Sequence, residues 1–130
     1  MILLDTHVVV WLAFEQRRIS AKARGAIDDA RRNADGLAIS DITLLELATL
    51  VRTGRIHLSI SLESFLQEVE SMFVVLPITG RACARAMGLP AKYPKDPADR
   101  VIGATALVEG LALLTADRAI GRSKTVQTIW

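Results

Sequence analysis

The chain opens with four apolar residues stopped by a carboxylate, Met1-Ile2-Leu3-Leu4-Asp5, and a helical pattern begins at Thr6-His7-Val8. A short unbroken apolar run of this kind predicts a buried strand feeding a helix. Ser20 starts a second helix over residues 21 to about 34, Asp35-Gly36 breaks it, and Leu37-Ala38-Ile39 is the next strand. Ser40 caps a third helix, with Asp41 in the first turn, where the helix dipole favours it, and Gly54 as the stop. A fourth helix is predicted from residue 61 to about 72, followed by the strand Phe73-Val74-Val75-Leu76-Pro77 and by a helix capped by Thr79 that ends near Met87. Residues 90–97 form the one clear loop. Asp96-Pro97-Ala98-Asp99 opens the sixth helix, with proline at the first helical position where its missing N–H costs nothing, and Gly110 closes it. Residues 111–115 are a further strand, residues 118–121 a helical turn, and residues 125–130 a last strand-like segment.

Strands alternating with helices predict a three-layer α/β/α fold, with a mostly parallel central sheet of four to five strands flanked by helices. The 130 residues fit a single domain spanning 1–130. Half the residues are hydrophobic and only 5% aromatic, so the core must be built from Leu, Ile, Val and Ala, as suits a sheet covered on both faces. The apolar stretch 8–14 is far below the roughly 20 residues a bilayer requires, so a cytoplasmic protein without a membrane span is expected. A single cysteine excludes an internal disulfide, and Cys83, among Ala82, Ala84 and Ala86, reads as a small buried hydrophobe. The net charge of +2 is slight, but committing several carboxylates to a metal would leave the rest of the surface basic, as a polyanionic substrate requires.

In open parallel sheets ligands bind beyond the carboxyl ends of the strands, and Asp5 and Asp117 stand at two such ends. Either residue alone reads equally well as a turn or helix cap; as a pair they face one crevice. Glu46 is the only charge in the segment 42–51, which predicts a buried carboxylate, and no basic residue lies three or four positions away to pair with it. Asp96 is expected to cap its helix, while Asp99, one turn inside, reads equally well as a capping-box acid and as a carboxylate leaning into the strand-end crevice. Four oxygen ligands without a Cys or His cluster suit a hard cation, Mg²⁺ or Mn²⁺, which orients water for in-line phosphodiester hydrolysis.

In order, Leu3-Leu4-Asp5-Thr6, Glu46 in a helix leading to Gly54-Arg55-Ile56, Asp96-Pro97-Ala98-Asp99-Arg100 and Leu114-Thr115-Ala116-Asp117 resemble a PIN domain. More narrowly, the chain resembles the VapC-type toxins of bacterial toxin/antitoxin pairs, over nearly its whole length. The resemblance implies an endoribonuclease whose metal-binding acids are Asp5, Glu46, Asp99 and Asp117, with Thr115 as a supporting hydroxyl; Thr6 and Asp96, beside these acids, are further candidates for a supporting role. It also implies an RNA substrate, a homodimer and a cognate antitoxin that covers the active-site groove. Arg100 and Arg118 follow quartet acids and are candidates for phosphate binding, although surface arginines also pair with nearby acids. His7 is expected to be structural, its side chain turned away from that of Asp5 by one helix step. Trp11 and Phe14 read as core or dimer contacts. The rival readings are a catalytically silent PIN-fold module that binds RNA or protein and, more distantly, an aspartyl-phosphate phosphatase or receiver domain, for which the expected second acid and strand-end lysine are missing.

Overall fold

The computed structural model describes residues 1–130. Its strands are β1 (Ile2–Leu4), β2 (Leu37–Ser40), β3 (Val74–Leu76), β4 (Leu113–Leu114) and β5 (Thr128–Ile129). Its helices are α1 (Thr6–Phe14), α2 (Ala21–Arg32), α3 (Asp41–Arg52), α4 (Leu62–Met72), α5 (Gly80–Met87), α6 (Pro97–Glu109) and α7 (Arg118–Ser123), with a 3₁₀ turn at Gln16–Arg18 that the sequence pattern does not disclose. Every expected element is present. The differences lie at ends: Phe73 is the cap of α4 rather than the first residue of β3, and β4 and β5 each shrink to two residues.

The five strands run in the order β3-β2-β1-β4-β5, and every pairing is parallel. The chain winds outward from β1 to β2 and β3, then returns to place β4 on the other side of β1. The point where winding reverses, and a crevice opens, is therefore between β1 and β4. The backbone closes that seam tightly, with the Asp5 N–H donating to the Leu114 carbonyl at 3.0 Å.

Alternation along the strands divides the core in two. Leu4, Ile39 and Leu114 face one side and join Val8, Ile27, Leu47 and Phe65, whereas Leu3, Ala38 and Leu113 face the other and join Tyr93, Ile102 and Ile120. Each of the central leucines is fully buried and contributes on the order of 1.5–3 kcal/mol. Every α-helix begins with a capping side chain that accepts a backbone N–H: Asp5, Ser20, Ser40, Ser61, Thr79, Asp96 and Asp117. Three of these caps are the acids singled out above, so local helix geometry fixes their positions before any chemistry is asked of them. No helix is long and apolar enough to cross a membrane.

Cys83 departs from expectation, being exposed. On α5 the buried positions are Ala82 and Ala86, four apart on one face, and Cys83 lies a further helical step around, towards solvent.

Candidate functional site

The first site residue is Asp5, which leaves β1 and caps α1. Its Oδ1 accepts the Thr6 N–H at 2.9 Å and its Oδ2 accepts the Thr115 hydroxyl at 2.8 Å, so one oxygen is held by the start of α1 and the other by the residue after β4. Thr115 Oγ1 in turn accepts the Asp117 N–H at 3.1 Å. The supporting role expected of Thr115 is thus a physical tie between the first and last acids.

Thr6 makes a second tie. Its hydroxyl donates to Glu46 Oε1 at 2.5 Å and lies 2.9 Å from the Thr43 hydroxyl. Thr43 is wholly buried and precedes Glu46 by three positions on α3, a helix-face spacing that would have singled it out. Glu46 itself is half-buried rather than enclosed, because α3 is apolar on its outer side too: neighbouring Leu45 is 63% exposed. Burial, with Asp5 and Asp96 adding to it, raises the Glu46 pKa against the opposing hydrogen bond from Thr6.

Asp99 lies in the first turn of α6, beyond the cap Asp96, whose Oδ1 accepts the N–H groups of Ala98 at 2.9 Å and Asp99 at 3.2 Å. The Asp99 carboxyl has no hydrogen-bond partner in the protein. Burial pushes its pKa up to about 7, reinforced by the charges of Asp5, Asp96, Glu46 and Asp117. A buried tyrosine holds this turn in place. The Tyr93 hydroxyl donates to the Asp99 carbonyl at 3.1 Å, and its ring occupies the notch left by Gly103, where a Cβ would collide with it.

Asp5, Glu46 and Asp99, from three different elements, line one cleft of about 420 Å³ together with Thr6, His7, Trp11, Arg18 and Arg55. Asp117 is not among the lining residues. It caps α7, its Oδ1 accepting the Ile120 N–H at 3.0 Å, and reaches the cleft through its charge, which acts on both Asp99 and His7. The carboxylates share this space without closing into a ready-made cage of three ligands. The chain's ion pairs are Arg18–Glu15 and Arg32–Asp29, and His7 lies beside Asp5, so Glu46, Asp99 and Asp117 have no cationic side chain as partner. The donor set is all oxygen, and Glu46 Oε2 and both Asp99 oxygens are unspent, which suits a hard divalent cation.

Three expectations need correction. Arg100 is not available to phosphate: its guanidinium donates to the carbonyls of Ala86, Leu89, Pro90 and Tyr93, pinning the loop before α6. Arg118 is exposed at the start of α7 and does not line the cleft. His7 is not turned away from Asp5, because Asp5 is an extended cap and not a helical residue. The ring accepts the Ala116 N–H at Nε2, 2.9 Å away, which leaves the neutral imidazole's proton on Nδ1, 3.7 Å from Asp5 Oδ2. Burial lowers the His7 pKa, outweighing the charges of Asp5 and Asp117. Trp11 packs against the core while also walling the cleft, and Phe14, 46% exposed, tilts against Phe65.

Known proteins resemble this chain over nearly its whole length. The chain is 40% identical over 131 residues to ribonuclease VapC22 of Mycobacterium tuberculosis, covering 99% of this chain and 98% of that protein. Among solved structures, VapBC2 from Rickettsia felis bound to a promoter DNA fragment aligns with a TM-score of 0.74 at 18% identity, covering 98% of this chain and 97% of that one. DNA-bound VapBC from Salmonella typhimurium aligns with a TM-score of 0.67 at 24% identity and the same coverage. The PIN domain pattern matches residues 2–124, and with it the chain belongs to the PIN-domain family.

Proposed function

We propose that this protein is a metal-dependent endoribonuclease, the toxin of a toxin/antitoxin pair, which hydrolyses RNA phosphodiester bonds with water activated by Mg²⁺ or Mn²⁺ at Asp5, Glu46, Asp99 and Asp117. The observation that carries the reading is Asp99: a carboxylate in a shared acidic cleft, without a protein partner, raised to a pKa of about 7 by burial and by its acidic neighbours. Such repulsion is relieved by capturing a cation. The name of the Mycobacterium tuberculosis relative, ribonuclease VapC22, supports RNA as substrate. Kinship with a VapC protein likewise supports a cognate antitoxin, and we extend the proposal to a homodimer.

Asp5, Glu46 and Asp99 are the residues that would hold the ion, with Asp117 contributing charge from the β4 side. A divalent ion bound there neutralises phosphate charge and lowers the pKa of water. The chain's own part is to position. Thr6 and Thr115 fix Asp5 and Glu46 by hydrogen bonds, each of which takes one lone pair of a carboxylate oxygen, limits the rotation of the group and leaves further lone pairs for a cation. Asp99, with both oxygens unspent, is the group with capacity to accept a proton from attacking water.

The test is cleavage of long transcribed RNAs by the purified protein in Mg²⁺, in Mn²⁺ and in EDTA, beside an Asp5→Asn variant. Cleavage should require a divalent ion and fall by about a thousandfold in the variant, roughly 4 kcal/mol of barrier. Equal cleavage in all four reactions would refute the mechanism, and its absence from all four would favour the silent module.

A further inference from the structure

We propose that Arg18 and Arg55 form a phosphate grip on the rim of the acidic cleft, holding the RNA backbone beside the bond that is cut; this rests on the nuclease reading above. A polyanion approaching Asp5, Glu46 and Asp99 meets repulsion, so a productive cleft needs fixed cations close to its carboxylates. Both arginines line the same cleft as those acids, yet neither is neutralised by them. Arg55 has no carboxylate within 4.0 Å, although three line the cleft it shares.

Each arginine follows or ends a hydrogen-bonded backbone turn. Arg18 ends the 3₁₀ turn after α1, where its guanidinium lies 4.2 Å from the centre of the Trp11 ring and 3.2 Å from Glu15 Oε2. Cation–π contact and ion pair together limit its rotamers while leaving the head 57% exposed. Arg55 follows Gly54, whose φ of 78° reverses the chain at the end of α3, and its N–H returns to the Leu50 carbonyl at 2.9 Å. A planar guanidinium with unspent donors suits a phosphate, which accepts two parallel N–H bonds. Arg100 shows the contrasting case, a guanidinium already consumed by four carbonyls.

The test separates binding from cleavage. In an Asp5→Asn background, affinity for a fluorescein-labelled single-stranded RNA oligonucleotide is measured by anisotropy across a series of KCl concentrations. Arg18→Gln and Arg55→Gln should each weaken binding by roughly five- to tenfold and flatten the log–log salt slope by about 0.7, the loss of one phosphate contact on a single strand. Arg55→Lys should keep the slope, and Arg81→Gln, on α5 outside the cleft, should change neither quantity. With Asp5 restored, the two glutamine variants should raise KM for a long transcribed RNA more than they lower kcat. Slopes matching that of Arg81→Gln, with circular dichroism showing folded proteins, would overturn the grip while leaving the nuclease reading intact. Flattened slopes in a protein that cleaves nothing in Mg²⁺ would keep the two arginines as RNA contacts but sink the nuclease reading, and with it the grip's place beside a bond that is cut.

Discussion

Thr115 Oγ1 donates to Asp5 Oδ2 at 2.8 Å, joining two residues 110 positions apart in the chain. The bond closes the seam between β1 and β4 at the point where the winding of the sheet reverses, and the same oxygen accepts the Asp117 N–H at 3.1 Å. One hydroxyl therefore sets the direction of the first acid and the backbone of the last.

Replacing Thr115 by Val keeps the shape and removes the hydroxyl. Partners of this kind are worth about 10- to 100-fold in metal affinity or activity when lost. Thr115→Val is expected to lower RNA cleavage within that range and to weaken the response to Mg²⁺, while Thr115→Ser retains most of both. A magnesium titration of cleavage rate for the two variants decides it, and equal rates for Val and Ser would remove the hydroxyl from the account.

Much of this site is legible along the chain because its acids stand at places where local rules are strict. Asp5 ends an apolar strand and caps a helix, and Asp96-Pro97 announces the start of α6 through proline's fixed geometry. Side-chain pairings across the sheet are another matter. That Arg100 points back to four carbonyls, or that Gly103 is a notch for Tyr93, depends on how elements stack, which spacing within one element does not reveal. Cys83 illustrates the same gap: Arg81 and Arg85 mark a polar side that leaves Cys83 among the apolar positions, but packing covers only Ala82 and Ala86.

Asp99 predicts a pH dependence of stability in the metal-free protein. Its folded pKa, about 7, lies above its unfolded value of about 3.9, so the folded state prefers the protonated acid. The stability this group contributes is fully present below about pH 4 and is lost as pH rises through about 7. Chemical denaturation in EDTA across that window should show a downward trend with pH that is shallower in Asp99→Asn. In saturating Mg²⁺ the wild-type trend should diminish, because bound cation favours the ionised carboxyl. Identical slopes for wild type and variant in EDTA would contradict the assigned repulsion.

Gly103→Ala should be destabilising through packing alone. The added methyl would collide with the Tyr93 hydroxyl and ring, and Tyr93 is 1% exposed with little room to retreat. Overpacking of this sort costs typically about 1–3 kcal/mol. Urea unfolding measures the loss, and because the same ring supports the first turn of α6 through the Asp99 carbonyl, cleavage should fall beyond what the unfolded fraction explains.

The central claim is that Asp5, Glu46 and Asp99 converge on a divalent ion, with Asp117 adding charge. Anomalous diffraction from crystals soaked in Mn²⁺ tests it most directly. The account predicts a peak in the cleft in contact with oxygens of Asp5 and Asp99, which disappears in Asp99→Asn crystals soaked in the same way. A cleft without a peak at saturating Mn²⁺, in protein that still cleaves RNA, would contradict it.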